Sequence, residues 1–342
     1  MKQYREPRVA VVGATGAVGR TMVQILAERD VPVADMRLMA SSRSAGTVVP
    51  TPWGDVEVED LTTADPAGID IALFSAGGAR SKEHAPRFAA SGAVVIDNSS
   101  AFRMDPSVPL VVAQVNDSAI ADHQGIVANP NCTTMVLMMA AGPLHRAAGL
   151  TDVVATSYQA TSGSGQRGVS VLHDEVAALG SNSAALVDGG WDEPGNDLYT
   201  RPIGFNVLPL AGAMAADGYT DEEWKLVHET RKILDARDIR VEPTCVRVPV
   251  VVGHGIASTL RFSRPVDLTE AQTLLATAPG AQLWSDDKVP TPLDSAGRDE
   301  VLIGRVRETL GEPGGVSLWV VGDNLRKGAA LNAVQLAELL LA

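Results

Sequence analysis

The sequence predicts an α/β protein, with a doubly wound parallel sheet joined to a second α+β domain. Three observations carry that reading. The first third alternates short apolar strand-like runs with helical stretches, the pattern of parallel βαβ units. One of those runs, Arg8-Val9-Ala10-Val11-Val12, feeds a glycine-rich turn that opens a helix. The rest of the chain gathers β-branched residues into longer segments with helices between them. A length of 342 residues accommodates two domains at about 150 residues each. With 45% hydrophobic and 20% charged residues, the chain can bury a real core and is not disordered. Its 32 glycines and 4% aromatics suit α/β layers better than an aromatic sandwich.

Taken in order, 8–12 reads as a buried strand, 16–29 as a helix and 36–40 as a second strand. Residues 55–59 alternate polar and apolar, as a half-exposed strand does. Short buried strands follow at 69–74 and 93–96, separated by a helix over 79–90. Further on, 152–159, 240–252, 256–264, 301–306 and 316–321 read as strands of a larger mixed or antiparallel sheet. Helices are expected at 168–179, 221–236 and 269–276, and 325–341 reads as one closing helix packed back on the first domain. No internal repeat, low-complexity tract or linker interrupts the pattern.

Composition excludes several function classes. The 28 Lys and Arg against 41 Asp and Glu leave a formal charge of −13, which disfavours nucleic acid and anionic membranes as partners. Two cysteines, Cys132 and Cys245, make neither a disulfide framework nor a Cys-rich zinc site, so a reducing compartment is expected. The N-terminal residues do not read as a signal peptide, and the apolar stretch near 135–144 is too short to span a bilayer. A cytoplasmic protein is expected.

The turn Gly13-Ala14-Thr15-Gly16-Ala17-Val18-Gly19 lies between a strand and a helix, the context a dinucleotide-binding fingerprint requires. Its spacing is G-x-x-G-x-x-G. Glycines permit a tight turn and close approach of a pyrophosphate, which then meets backbone N–H groups and the helix dipole. A Rossmann-type domain is therefore expected. NAD readers tend to end the second strand with a carboxylate for the ribose 2′-hydroxyl. Here that strand ends in Ala40-Ser41-Ser42-Arg43-Ser44, while Asp35 sits at its other end. A guanidinium flanked by serine hydroxyls suits a 2′-phosphate, so the expected cofactor is NADP.

Asn129-Pro130-Asn131-Cys132-Thr133-Thr134 precedes an apolar helix, which places Cys132 at or beside a helix N-terminus. There the dipole and free N–H groups favour a thiolate. A cysteine working with a nicotinamide cofactor points to thiolate attack on an aldehyde and hydride transfer to give a thioester. Cys245, inside a strand, reads as a small core residue. Of six histidines, His254 lies at a Gly-flanked break in Val252-Gly253-His254-Gly255, where a side chain can face a cleft. Arg247 is seven residues earlier. In an unbroken strand that odd offset puts the two on opposite faces, whereas a bend at Pro249 and Gly253 brings them to one site. Thr220 and Glu223 match a capping box, and Glu222 with Lys225 reads in isolation as a surface ion pair.

Together these motifs resemble aspartate-β-semialdehyde dehydrogenase over nearly the whole chain. The resemblance also rests on Phe74-Ser75-Ala76-Gly77-Gly78, Asn98-Ser99-Ser100-Ala101-Phe102-Arg103, Ser157-Tyr158-Gln159-Ala160 and Phe205-Asn206. Val289-Pro290-Thr291-Pro292-Leu293-Asp294 and Gly322-Asp323-Asn324-Leu325-Arg326-Lys327-Gly328-Ala329-Ala330 complete it. The resemblance implies reversible NADP-dependent conversion of L-4-aspartyl phosphate to L-aspartate 4-semialdehyde. That reaction lies on the route to lysine (by way of diaminopimelate), threonine, methionine and isoleucine.

The resemblance assigns Cys132 as nucleophile, His254 as acid/base and Gln159 as the residue positioning the Cys132 intermediate. Arg247 and Glu222 would hold the substrate carboxylate and ammonium, and Arg103 and Lys225 the phosphate. This displaces the surface-pair reading of Glu222 and Lys225. Gly13, Thr15, Gly16, Ala17, Val18, Ser41, Arg43, Ser44, Ser162, Gly163 and Asn324 would line the cofactor site, and no metal is expected. The implied division is 1–129 plus 325–342 for the NADP-binding domain, and 130–324 for catalysis and homodimerisation. Two departures stand out. Many members read Pro-Glu at Ala113-Gln114, and many carry Ser at Gly255, beside the base. Alternatives are a reductase of another acyl phosphate, such as an N-acetyl-glutamyl phosphate, or a catalytically altered paralogue.

Overall fold

The computed structural model describes residues 6–181, 183–285 and 287–342. Residues 1–5, which begin the segment judged not to be a signal peptide, lie outside it. Among the described residues no helix is long and apolar enough to cross a membrane. The chain divides into two compact units. One comprises 1–138, 228–237 and 325–342, and the other 139–227 and 238–324.

The first unit contains β1 (Arg8–Val12), α1 (Ala17–Glu28), β2 (Asp35–Ala40), β3 (Val48–Thr51), β4 (Gly54–Asp60), β5 (Ile71–Phe74), α2 (Gly78–Ala90), β6 (Val94–Asp97) and β7 (Ile126–Ala128). The start of α3 (Cys132–Ala148) also belongs to it. Its seven strands run in the order β3-β4-β2-β1-β5-β6-β7, all parallel neighbours except the β3–β4 hairpin. Period-two alternation decides what each strand contributes to the two faces. Val9, Val11, Ile71 and Leu73 enter one apolar cluster, with Met22, Ile25 and Leu26 of α1. Ala10, Val12, Ala72 and Phe74 enter the other, where Phe88 of α2 meets Phe74 edge-on at 5.1 Å. Burial on both faces explains why these strands read as continuous apolar runs.

The second unit contains β8 (Leu150–Gln159), α4 (Gly165–Gly180), α5 (Ser183–Asp188), the first half of α6 (Asp221–Ile233), β9 (Arg240–Arg247), β10 (His254–Phe262), α7 (Leu268–Ala276), β11 (Ala281–Leu283), α8 (Pro292–Ser295), β12 (Val301–Glu308) and β13 (Val316–Gly322). Its six-stranded sheet has the order β11-β12-β13-β10-β8-β9. β8–β9 and β11–β12 are parallel, and the other pairs antiparallel.

Two expectations need correction. The strand expected over 240–252 stops at Arg247, because Pro249 and Gly253 (φ +97°) break it, and β10 begins two residues early, at His254 itself. The closing segment is not one helix. A π-helical turn (Arg326–Ala330) runs into α9 (Leu331–Leu341), and both pack in the first unit beside α1. The wide turn carries Lys327, only 1% exposed, whose Nζ donates to Ala113 O at 2.9 Å and Gln335 Oε1 at 2.8 Å. The compact units part at 138/139, and 228–237 goes with the first. Lys232 Nζ explains that attachment by donating to Arg103 O, Asp105 O and Val108 O at 2.7, 2.7 and 2.8 Å.

Candidate active site

In the first unit the sheet order turns back at β1: the chain continues to β2 on one side and β5 on the other. A crevice at the carboxyl ends of the strands is expected there. A cavity of about 170 Å³ lies at that point, lined by Gly13, Thr15, Gly16, Ser41, Arg43 and Arg80. Gly13 has φ +87°, and a Cβ on it would sit 2.3 Å from Ser75 O; one on Gly19 would sit 2.3 Å from Gly13 O. The first glycine lets the turn approach the β5–α2 loop, and the third lets α1 pack on it. Gly16 caps α1 without a side chain, so the first helical N–H groups at Ala17 and Val18 are not capped by it. Neither Ala17, Val18 nor Ser44 lines the cavity; Ser44 Oγ accepts from Thr15 Oγ1 at 3.4 Å.

No carboxylate lines this cavity. The nearest strand acids are engaged: Glu59 pairs with Arg37 at 2.6 Å, and Asp60 accepts from Thr62 N and Oγ1. Arg43 is exposed and makes no bond to another described residue. Sequence reading missed Arg80. Its signal was an arginine in the first turn after Gly77-Gly78, at the end of the strand neighbouring β1.

Cys132 is the first residue of α3 and is partly exposed. Asn131 caps the helix, its Oδ1 accepting from Thr133 N at 2.9 Å. Arg103 is also in this unit, 7% exposed. It donates from Nε to Asn129 O (2.9 Å), from Nη1 to Glu229 Oε1 (3.0 Å) and from Nη2 to Asn98 O (3.0 Å).

The second unit gathers a different set. Arg247 ends β9 and His254 starts β10, and the bend between them brings both to Gly163. A Cβ on Gly163 would lie 3.0 Å from Arg247 Nη1 and 3.3 Å from His254 Nε2. The bend is a built feature: Gly253 N donates to Asn324 Oδ1 at 2.9 Å, and Asn324 Nδ2 donates to Ser162 Oγ at 2.9 Å. Thr161 N and Ser162 N bond Val250 O and Val251 O. Gln159 ends β8, is 1% exposed, pairs in register with Arg247 and donates from Nε2 to Ser157 Oγ at 3.1 Å.

His254 is fully buried. Its Nδ1 accepts from Ala160 N at 3.0 Å, so the neutral ring carries its proton on Nε2. Burial first, and the Arg247 charge second, push its pKa down to about 3. Nε2 of His254 and Nε of Arg247 are both buried donors with no acceptor among the described residues. Such donors cost free energy until something accepts from them.

Arg247 and Glu222 line one cavity of about 310 Å³, together with Gly163, Tyr199 and Gly212. Lys225 stands beside it, 2.6 Å from Glu222 and 2.7 Å from Asp221. Burial lowers the Lys225 pKa, but these carboxylates overcome that and leave it raised. The ion pair is therefore real, and one member also faces the cavity. The capping box forms as expected, Glu223 N to Thr220 Oγ1 at 3.2 Å and Thr220 N to Glu223 Oε2 at 2.7 Å. No group of metal-ligating side chains occurs among the described residues.

A parallel sheet with a glycine turn at its switch point, a cysteine at a helix start and a buried Arg–His pair define a nicotinamide-dependent oxidoreductase of the thiol type. Family models agree. Residues 8–123 match the semialdehyde dehydrogenase NAD binding domain, and 142–327 the semialdehyde dehydrogenase dimerisation domain. The chain is 53% identical to the aspartate-semialdehyde dehydrogenase of Streptomyces akiyoshiensis, covering 98% of each. It is 49% identical to that of Corynebacterium glutamicum, over 97% of this chain and 99% of the relative. A crystal structure of aspartate semialdehyde dehydrogenase II from Vibrio cholerae, complexed with ASA, superposes with a TM-score of 0.93 at 41% identity, covering 99% of each chain. The Candida albicans enzyme solved with NADP shares the fold, with a TM-score of 0.75 at 22% identity and 98% coverage of each. The chain belongs to the aspartate-semialdehyde dehydrogenase family.

Proposed function

We propose that the chain interconverts L-4-aspartyl phosphate and L-aspartate 4-semialdehyde, with NADP as its nicotinamide cofactor. The observation that carries this reading is the cavity shared by Arg247 and Glu222. A cation and a carboxylate facing one space suit the α-carboxylate and α-ammonium of an amino-acid substrate. A substrate carboxylate would accept from the orphaned Nε of Arg247.

In the reductive direction, the Cys132 thiolate attacks the acyl carbon and forms a C–S bond. The bond from acyl carbon to phosphate oxygen breaks, and phosphate leaves under the positive charge of Arg103 and Lys225. Gln159 positions the resulting thioester. NADPH, when bound, would supply the hydride for its reduction. The Nε2–H of neutral His254 donates a hydrogen bond to the oxyanion so formed. The oxyanion then re-forms the carbonyl as the C–S bond breaks, which returns Cys132 as a thiolate. A bound carboxylate beside Arg247 offsets the smaller of the two causes that hold the His254 pKa down, so substrate binding raises it.

The preference for NADP rests on Arg43 and Arg80 beside a cavity without a carboxylate. The family resemblance adds Ser162, Gly163 and Asn324 to the residues we read as cofactor-binding. We further read the protein as a cytoplasmic homodimer acting on small molecules, serving amino-acid biosynthesis. The experiment is direct: purified protein is given L-aspartate 4-semialdehyde, phosphate and NADP, with NAD in parallel. Phosphate-dependent NADP reduction, lost in Cys132→Ser, is expected. Absence of reduction in folded protein that binds NADP overturns the substrate assignment and points to another acyl phosphate.

A further inference from the structure

Glu229 has no role in the scheme above, yet its side chain is only 1% exposed and its two oxygens serve two different segments. Oε1 accepts from Nη1 of Arg103 at 3.0 Å. Oε2 accepts from the backbone N–H of Asn131 at 2.7 Å. Asn131 is the residue that caps α3 immediately before Cys132. Lys232, one turn further along α6, holds the backbone of the Arg103 loop through Arg103 O, Asp105 O and Val108 O. One helical turn therefore grips both the Arg103 loop and the turn that presents Cys132.

We propose that Glu229 is a positioning residue that sets the guanidinium of Arg103 in register with the Cys132 turn. This rests on the reading of Arg103 as a phosphate-holding group. Three of the five guanidinium N–H donors are committed, to Asn129 O, Glu229 and Asn98 O, which leaves one on each terminal nitrogen. Those two suit oxygens of one phosphate. Stability alone is a weak reason for the pair, since apolar replacements of buried ion pairs are often neutral or stabilising. The pattern also requires a carboxylate. Two donors converge on two oxygens, and glutamine offers only one, so its amide NH₂ would be turned against either Arg103 or the Asn131 N–H.

The test uses the full chain and steady-state constants per titrated Cys132 thiol, Cys245 being buried. Glu229→Asp keeps the charge but withdraws it by one methylene. It should raise the phosphate KM about tenfold, with the semialdehyde KM within about twofold. Glu229→Gln should lower kcat per thiol about tenfold or more, with a changed rate of Cys132 alkylation. In an Arg103→Ala background, Glu229→Asp should change the phosphate KM by less than about twofold. A purely structural role would lower the titrated fraction and leave constants per thiol intact. Unchanged constants in both variants, or a phosphate effect that persists in full without Arg103, overturn the proposal. If Arg103→Ala itself leaves the phosphate KM unchanged, the phosphate reading fails, and an unchanged alkylation rate in Glu229→Gln then removes the positioning role as well. Should Glu229→Gln not fold, Glu229→Asp decides alone.

Discussion

Gly255→Ser restores the residue many family members carry beside the base, and this chain should not tolerate it. Gly255 lies on β10 between Tyr158 of β8 and Val321 of β13. A Cβ there would sit 2.2 Å from Cη2 and 2.3 Å from Cζ2 of the Trp319 indole. The indole has little freedom to move: its Nε1 donates to Pro290 O at 2.8 Å, and its ring packs on Tyr158 with centroids 5.7 Å apart. Displacing it forfeits a hydrogen bond of about 1 kcal/mol and an aromatic contact of similar size. Overpacking of this kind costs about 1–3 kcal/mol. We expect about 2–3 kcal/mol in denaturant unfolding and a midpoint lower by roughly 5–10 °C. Trp319→Ala vacates the colliding volume. The double variant should therefore be more stable than the sum of the single changes by about 1–2 kcal/mol. Gly255→Ser within about 0.5 kcal/mol of the parent, or an additive cycle, would refute the reasoning.

Other consequences can be checked in the same preparations. Arg247→Lys removes a planar fork whose Nη1 also holds Ala160 O at 2.8 Å; kcat/KM for the semialdehyde should fall about ten- to hundredfold, and steady-state kinetics reads it. Arg43→Ala should raise the NADP KM about tenfold or more while leaving the NAD KM nearly unchanged, so an equal effect on both cofactors counts against the 2′-phosphate assignment. The His254 pKa lies at about 3, below its ordinary 6.5, so below pH 6.5 the unfolded chain takes a proton the folded chain refuses. Its contribution is full above that pH and is lost as pH falls toward 3, by about 1.4 kcal/mol per unit. Denaturant titrations from pH 6 to 4 should show a shallower decline in His254→Gln, and parallel curves contradict the shift.

Much of the site was legible because its chemistry is local in sequence. The Gly13 turn, the Asn131–Cys132 helix start and the Thr220–Glu223 box each form from residues a few positions apart, and each was expected where it occurs. The Arg247–His254 relation was legible only in part: strand parity set the two apart, and only a bend at Pro249 and Gly253 brought them together. Its resolution lies in the Pro249–Gly253 bend, stitched by Ser162 and Asn324 from distant segments. Arg80 and Glu229 escaped for the same reason: one joins Arg43 across the sheet, and the other meets Arg103 126 residues away. The closing helix was misjudged because periodicity does not report the burial of Lys327 that accompanies its π turn.

The sequence by itself determined the layer architecture, through the two-residue period of β1 and β5 and the glycines that only one turn geometry needs. It also determined the position of Cys132 at a helix start, through the apolar helical run that follows it. Only the tertiary structure decided which donors stay unsatisfied, why Gly255 has no side chain and which carboxylate serves two segments at once. Periodicity and capping are properties of neighbouring residues, whereas hydrogen-bond satisfaction and packing clashes are set by groups brought together from far along the chain.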